Sequence, residues 1–363
     1  MTVEENVLEQ LKYLDVLKTS LSSILTSKGV TDLTGDEKLD DLIPMVNNLP
    51  TVLDGSTGIN SKAKFIDTDS AGISIQDELD YFTNNFDTRN LNSYKGMFLR
   101  CTTSAGELLT TLNLSNLNTS NVITMNSMFV RCSNLTTLDF SNFNTSNVTD
   151  MNSMFKQCSN LTTLDLSNFN TSNVTDMGNM FKQCSALTTL DLSNFNTSNV
   201  TIMTDMFHTC SALTTLDLRG WDTSNVTSME GLFYYTSRLT TILGLTSFDT
   251  SNVTSMRSMF NGDRVKNDIT SLDLSSFTAS ENGVTTYTMF NNCTNLQHLD
   301  MRKFDFTRIT TFTNMFGSAA SRRVPANCEI IVKDNTQKQW IATNFSWLTN
   351  VKTVAEYEAE QNN

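Results

Sequence analysis

The sequence predicts an α/β solenoid of about nine units of roughly 26 residues, each one strand plus one short helix, between a helical N-terminal module and a mixed C-terminal cap. Three observations carry this prediction. A Met-Phe pair, once Leu-Phe, recurs with its aromatic ring at Phe98, Phe129, Phe155, Phe181, Phe207, Phe233, Phe260, Phe290 and Phe316. The intervals between these rings are 31, 26, 26, 26, 26, 27, 30 and 26 residues. Within each unit the apolar residues first alternate and then fall at spacings of three and four. A fixed period of this length marks stacked repeats, each too small to bury its own apolar face.

The elements follow in chain order. Residues 3–27 read as a helix, with Val7, Leu11, Leu14, Leu21 and Leu25 along one side and Gly29 as its stop. A second short helix spans Asp36 to Asn48 and ends at Asn47-Asn-Leu-Pro50. Residues 1–50 thus form a helical module, either a cap on the first repeat or an attachment and oligomerisation module. Docking is the expectation, because residues 51–96 stand between it and the first clear repeat and can serve as cap and linker. Three heptads suffice for a small coiled-coil bundle, so a homo-oligomer, a trimer, is the expected assembly.

Residues 97–323 hold the repeats. In Leu161-Thr-Thr-Leu-Asp-Leu166 the leucines alternate with polar residues, as in a strand with one face buried. The Asn-Thr-Ser-Asn that follows is turn chemistry. Met177, Met180 and Phe181 then fall at i, i+3 and i+4, the spacing of one helix face, and Val174 and Phe169 complete the inward set. The period lies in the window of leucine-rich repeats, so the solenoid is leucine-rich-repeat-like. Six of the seven cysteines stand three residues after the Phe, at Cys101, Cys132, Cys158, Cys184, Cys210 and Cys293. That spacing matches neither zinc pairs nor a disulfide framework, and it predicts a column of buried thiols. Insertions before Leu109, at Gly244, at Gly262–Asp268 and at Ala279–Gly283 map to surface loops.

Residues 324–363 read as the closing cap. Cys328–Lys333 is a strand, Asn335–Phe345 a helix carrying Trp340, and Val351–Ala355 a final strand. Trp340, Phe345 and Trp347 are assigned to its core. Trp221, standing where other units have Phe169, is assigned to the core as well.

Composition narrows the function. A formal net charge of −13 sets the chain against nucleic acid and anionic membranes, whose phosphates it would repel. Two histidines leave little for acid–base or zinc chemistry. No phosphate loop, nucleophile elbow, paired-carboxylate set, metal cluster or calcium loop is recognisable, so no enzyme, cofactor or metal is expected. No apolar run is long enough to enter a membrane, and Met1-Thr-Val-Glu-Glu-Asn does not read as an export leader. The Asn-x-Ser/Thr triplets, such as Asn147-Val-Thr, recur with the repeat and are not read as glycosylation sites.

The candidate binding residues lie on the polar face of the strands. They form columns: Thr137, Thr163, Thr189 and Thr215 beside Asp139, Asp165, Asp191 and Asp217, continued by Asp273 and Asp300. Hydroxyls and carboxylates in rows suit a sugar or a protein edge, or they simply solvate a regular sheet. Departures from the repeat are the better candidates for specificity. Tyr234 and Tyr235 stand where other units have Lys-Gln and read as an exposed aromatic pair. Gln297 and His298 replace the Thr-Thr pair, and Arg219 and Arg302 replace a Ser. His208 takes the place of Lys182 and reads as an ordinary surface residue.

The unit Leu-Thr-Thr-Leu-Asp-Leu-Ser-Asn-Phe-Asn-Thr-Ser-Asn-Val-Thr-Asp-Met-x-x-Met-Phe-x-x-Cys-Ser resembles the BspA-like surface repeats, also called mycoplasma- or listeria-type leucine-rich repeats. The resemblance runs from Phe98 to Phe316 and implies an extracellular adhesin. The segment around Leu21-Ser-Ser-Ile-Leu-Thr-Ser-Lys-Gly-Val30, and the closing segment from Ile331 to Val354, resemble modules of phage and prophage tail proteins of Gram-positive bacteria. Together these resemblances imply a virion protein of the tail or baseplate. Its repeats would bind a glycan or protein of the bacterial surface, and its N-terminal helices would bind other virion proteins. A cell-surface adhesin and a structural decoration protein of head or tail are the alternatives.

Overall fold

A computed structural model describes residues 93–98, 110–115, 117–263, 268–317 and 323–362. The N-terminal helices, with Val7, Leu11, Leu14, Leu21 and Leu25, lie outside the described residues, as do Cys101, the insertion before Leu109 and part of Gly262–Asp268.

The fold is mixed α/β, with parallel pairing between successive repeats and few helices. Its strands are β1 (Thr215–Asp217), β2 (Thr241–Leu243), β3 (Ser271–Asp273), β4 (Val284–Thr285), β5 (His298–Met301), β6 (Ile309–Thr311), β7 (Glu329–Val332) and β8 (Val351–Thr353). Two α-helices, α1 (Asn335–Asn344) and α2 (Val354–Gln361), follow β7 and β8. Single-residue parallel bridges run Ser93–Thr124–Asp150–Asp176–Ile202–Ser228–Ser255–Thr285, and β4 pairs with β6 to extend them. This continuous ladder lies beside the Met-x-x-Met-Phe segments. The Leu-Thr-Thr-Leu-Asp-Leu segments pair less completely: β1 joins β2, and β3, β5, β7 and β8 form a separate four-stranded sheet. In the units at 136–140, 162–166 and 188–192 the alternation of buried Leu and exposed polar residues is kept without a formed strand.

The short helix expected in each unit is corrected to a run of turns. In the unit from Met151, the N–H groups of Met151, Ser153, Phe155 and Gln157 donate to the carbonyls of Asp176, Gly178, Met180 and Lys182 in the next repeat, at 2.8–3.0 Å. The N–H groups between them, on Met154, Lys156 and Cys158, close turns onto residues three earlier. An α-helix needs every N–H for its own i−4 carbonyl, so this chain cannot both coil and pair with its neighbour. Left-handed residues supply the alternation: Ser153 has φ 59° and Gln157 φ 65°, and Asn179 and Gln183 repeat them one unit on. Met177, Met180 and Phe181 still point inward, all 0% exposed.

The core is a set of ladders. The nine Phe rings form one unbroken stack with centroids 5.3–5.9 Å apart. Beside it, the thiols of Cys158, Cys184 and Cys210 each donate to the carbonyl of the preceding unit's Phe at 3.1 Å. Thr236 stands in this column without a thiol and turns its hydroxyl to its own Phe233 carbonyl at 2.8 Å. Burial pushes the thiols of Cys158 and Cys184 well above the ordinary range and that of Cys210 up to about 12. A buried threonine column, Thr119, Thr145, Thr171, Thr197, Thr223 and Thr250, runs through the turns. Thr171 shows its logic: the hydroxyl donates to the Asn196 carbonyl at 2.9 Å and accepts the Asn196 N–H at 2.8 Å. A third column is exposed, where Asn147, Asn173, Asn199 and Asn225 each donate to a Ser carbonyl in the unit before.

The C-terminal residues extend the sheet before closing it. β7 pairs with β5, and β8 with β7. Residues 354 and 355, expected as the end of the last strand, begin α2 instead. Thr353 and Glu356 form a reciprocal capping box there, which favours helix over strand from that point. Lys338 of α1 bonds Glu356 at 2.7 Å and fixes the two helices together. Phe345 is buried, and Trp340 and Trp347 pack against the core, as does the 3% exposed Trp221 within the repeats.

The ladders set measurable expectations for stability and for thiol reactivity. Thr171→Val leaves the Asn196 peptide without partners in a dry environment, which lowers unfolding free energy by about 2 kcal/mol in chemical denaturation. The same change at exposed Thr163 stays within about 0.5 kcal/mol. A thiol reagent at pH 8 leaves Cys132, Cys158, Cys184, Cys210, Cys293 and Cys328 unmodified in the native protein and modifies all seven cysteines after unfolding. Rapid native labelling of Cys184 would show that the column opens.

Candidate functional site

The strand-side columns are where the candidate residues were expected, and there the structure separates used groups from open ones. Thr137, Thr163, Thr189 and Thr215 are exposed, and among the described residues none of their hydroxyls bonds the protein. Of their upstream neighbours, Thr136 donates to the backbone of the preceding unit at 3.2 Å, as Thr240 does at 3.1 Å one unit beyond the row, whereas the hydroxyls of Thr162, Thr188 and Thr214 are exposed and unbonded like the row itself. In the units at 162–163, 188–189 and 214–215 both hydroxyls of the Thr-Thr pair are therefore open.

The aspartates beside them are turn residues first. Asp139, Asp165 and Asp191 each accept the N–H of the serine two residues on, at 2.8–2.9 Å, and Asp217, Asp273 and Asp300 accept the corresponding N–H at 3.0–3.1 Å. Such Asx turns end each strand segment. The Ser141 backbone and hydroxyl hold Asp139 below the usual carboxylate range, and Ser167 and Ser193 do so for Asp165 and Asp191. The carboxylates feel each other as well, Asp217 and Asp165 both opposing the charge on Asp191. Asp139, Asp165, Asp191 and Asp217 are thus charged at neutral pH, and each charge is anchored by its own turn.

The irregular residues fare differently. Arg219 grips Asp217 through two nitrogens, with the shortest contact 2.6 Å, and Arg302 grips Asp300 in the same way. Asp300 is only 4% exposed, so Arg302 neutralises a buried carboxylate rather than reaching outward. Gln297 is exposed, but His298 is half-buried, with Nδ1 2.9 Å from Glu329, and Glu329 also binds Lys352 of β8 at 2.9 Å. His298 thus ties β5 to β7, whereas Arg302 is spent on Asp300 of β5.

Tyr234 and Tyr235 belong to the turn ladder and not to the strand columns. Their reading as an exposed pair is corrected too: both are half-buried, stacked on each other at 4.0 Å. His208, expected as an ordinary surface residue, sets its ring edge-on to Tyr234 at 4.5 Å and its Nδ1 3.0 Å from Asp205. Asp205 also takes Lys182 Nζ at 2.6 Å. Burial opposes the charge of Asp205, yet hydrogen bonds from His208 and Lys182 outweigh it and keep the carboxyl below its ordinary range. The carboxylate lies over Gly231, where a side chain's Cβ would come within 2.1 Å of it. A cluster of charge and aromatic rings therefore spans three successive units. Sequence reading picked out the tyrosines but not Asp205, whose signal was weak: one carboxylate where neighbouring units have Ser153 and Asn179.

Among the described residues no three His, Cys, Asp or Glu side chains gather in a metal-binding arrangement. No helix there is long and apolar enough to cross a membrane.

No curated protein matches the chain. One family model, described as "Mycoplasma protein of unknown function, DUF285", matches residues 93–216, 155–271 and 203–328. Those spans overlap and begin about two repeats apart, as expected when one model fits a periodic chain in several registers. Together they cover more than half of the sequence, and the chain belongs to the DUF285 family, which is associated with BspA-like repeats.

Proposed function

We propose that the repeats form a leucine-rich-repeat-like solenoid of the BspA type that binds a bacterial surface without catalysis. The observation that carries this reading is the division of labour among the polar side chains. Buried Thr and Cys and exposed Asn are spent on the protein's own ladders, whereas Thr137, Thr163, Thr189 and Thr215 are left open beside the charged aspartates. A row of hydroxyls on a rigid frame is preorganised for hydrogen bonding to a glycan or to a protein edge, with little entropy left to lose on binding. The aromatic and charged cluster around Tyr234, Tyr235, His208 and Asp205 adds a second, non-repeating surface.

The setting we propose is a phage or prophage tail or baseplate, on the likeness of the segments around residues 21–30 and 331–354 to tail-protein modules. Residues 1–50 then join other virion proteins and trimerise.

Labelled full-length chain incubated with Gram-positive cells is expected to bind saturably and to lose binding once wall polysaccharide is stripped, which identifies a glycan receptor. Thr163→Arg with Thr189→Arg, which fills the open row, is expected to reduce binding at least tenfold. Lys156→Arg, on the turn side, leaves it unchanged. Absence of binding to every strain tested, in a chain that still enters virus particles, points to a decoration protein and overturns the receptor reading.

A further inference from the structure

Among the formed strands on the strand side, pairing between successive repeats lapses at one step. β2 pairs with β1, and β3 pairs forward with β5, but no pairing joins β2 to β3. The cause is the extra residue Gly244. Its φ of 94° and its approach to β1, where a Cβ would lie 2.7 Å from the backbone of Leu218 and Arg219, admit only glycine. The chain then turns through a 3₁₀ segment, Leu245–Ser247, instead of running on into the usual Asx turn. Between β2 and β3 lies an open groove of about 200 Å³, lined by Ile242, Leu243 and Leu245 together with Thr240, Ser271 and Asp273.

Leu243 marks this groove as a departure from the repeat. Its register partner is Asp217, so it occupies the aspartate column, where it stands 37% exposed. We propose that the groove anchors one apolar side chain of an extended, basic segment of a partner protein. This rests on the surface-binding reading and names the chemistry of one part of that surface. Exposed Leu243 beside half-buried Ile242 calls for an apolar anchor. Two strand edges that face each other without pairing offer main-chain donors and acceptors to an extended segment. Charge complementarity makes the segment basic. Asp273, within the field of Arg302, flanks Leu243 on one side, and on the other Asp217, which carries Arg219, is followed by Asp191, Asp165 and Asp139, which form no ion pair among the described residues. A cationic partner relieves the mutual repulsion in that column.

The test uses the full-length chain and three fluorescent octapeptides, alternating Lys-Leu, Lys-Ser and Glu-Leu, read by anisotropy. The Lys-Leu peptide is expected to bind saturably and to weaken as salt rises, the Lys-Ser peptide to bind at least tenfold more weakly, and the Glu-Leu peptide not to bind. Leu243→Asp, which restores the repeat's usual residue, is expected to weaken Lys-Leu binding at least tenfold even though it adds a negative charge. Thr246→Trp, at an exposed rim position, is expected to do the same by occlusion, with circular-dichroism melts verifying that both variants fold. Absence of saturable Lys-Leu binding, or equal binding by wild type and both folded variants, overturns the proposal. The assay is independent of cell adsorption. Leu243-dependent peptide binding without cell binding overturns only the receptor reading, whereas cell binding with Leu243-independent peptide binding overturns only the groove.

Discussion

The stack of repeats leans on one arrangement: alternate peptide N–H groups of the Met-x-x-Met-Phe segment donate forward to the next repeat, from Ser93 through to β6. The other N–H groups close tight turns, so the segment's peptides are spent either on the next unit or on their own. The arrangement demands residues with positive φ, and the chain accepts Ser, Gln, Thr, Asp and even Tyr there. Left-handed backbone in residues other than glycine is unfavourable by about 1 kcal/mol each. What offsets it is the stacking the ladder makes possible. Phe rings meet face to face, and each thiol finds the Phe carbonyl one unit back. Were the segment helical, its carbonyls would be saturated and the units would have only side chains to hold them together.

Much of this was legible in the sequence, because burial follows the period. The Phe, Met, Leu and Cys columns can be placed from the period alone, since a residue that recurs every 26 positions must meet its own copies. The turn ladder cannot. Spacings of three and four fit a helix face and also fit a chain of turns, and the left-handed positions carry Asn or Gly in some units (Asn179, Gly231, Asn314) but Ser, Asp, Thr or Gln in others, so no one residue type marks them. Helix α2 was legible in principle, since Thr353-x-x-Glu356 is a capping-box pattern, but a strand reading of Val351 to Ala355 concealed it. The candidate site was legible only in part. The open threonines were found as a column, whereas the partners of Tyr234, His208 and Asp205 lie one repeat away, where no local pattern links them.

The same ladders occupy many of the repeat's polar side chains internally. Asn147-Val-Thr149 is representative: the asparagine amide bonds the Ser120 carbonyl and the threonine hydroxyl bonds the Ile123 carbonyl. Asp139 and its copies cap turns, and Thr171 and its copies bridge the backbone of the next unit. A low content of charged residues fits this economy, since short hydroxyl and amide side chains satisfy a backbone that the thin repeat leaves near the surface.

On the surface-binding proposal, specificity comes from what the period does not dictate. A regular column offers a ligand the same contact at every step and so fixes neither its register nor its identity. Each departure from the repeat changes that. Arg219 removes one charge from the aspartate column, Leu243 replaces another with an apolar group, and Gly244 parts the strands beside it. These three changes fall within one pair of neighbouring units, and Trp221 replaces the core Phe in the same region. An insertion that served only as a tolerated loop would leave the flanking columns intact. Here the columns change together with the insertion, so charge, apolar exposure and strand pairing all shift at a single step of the stack.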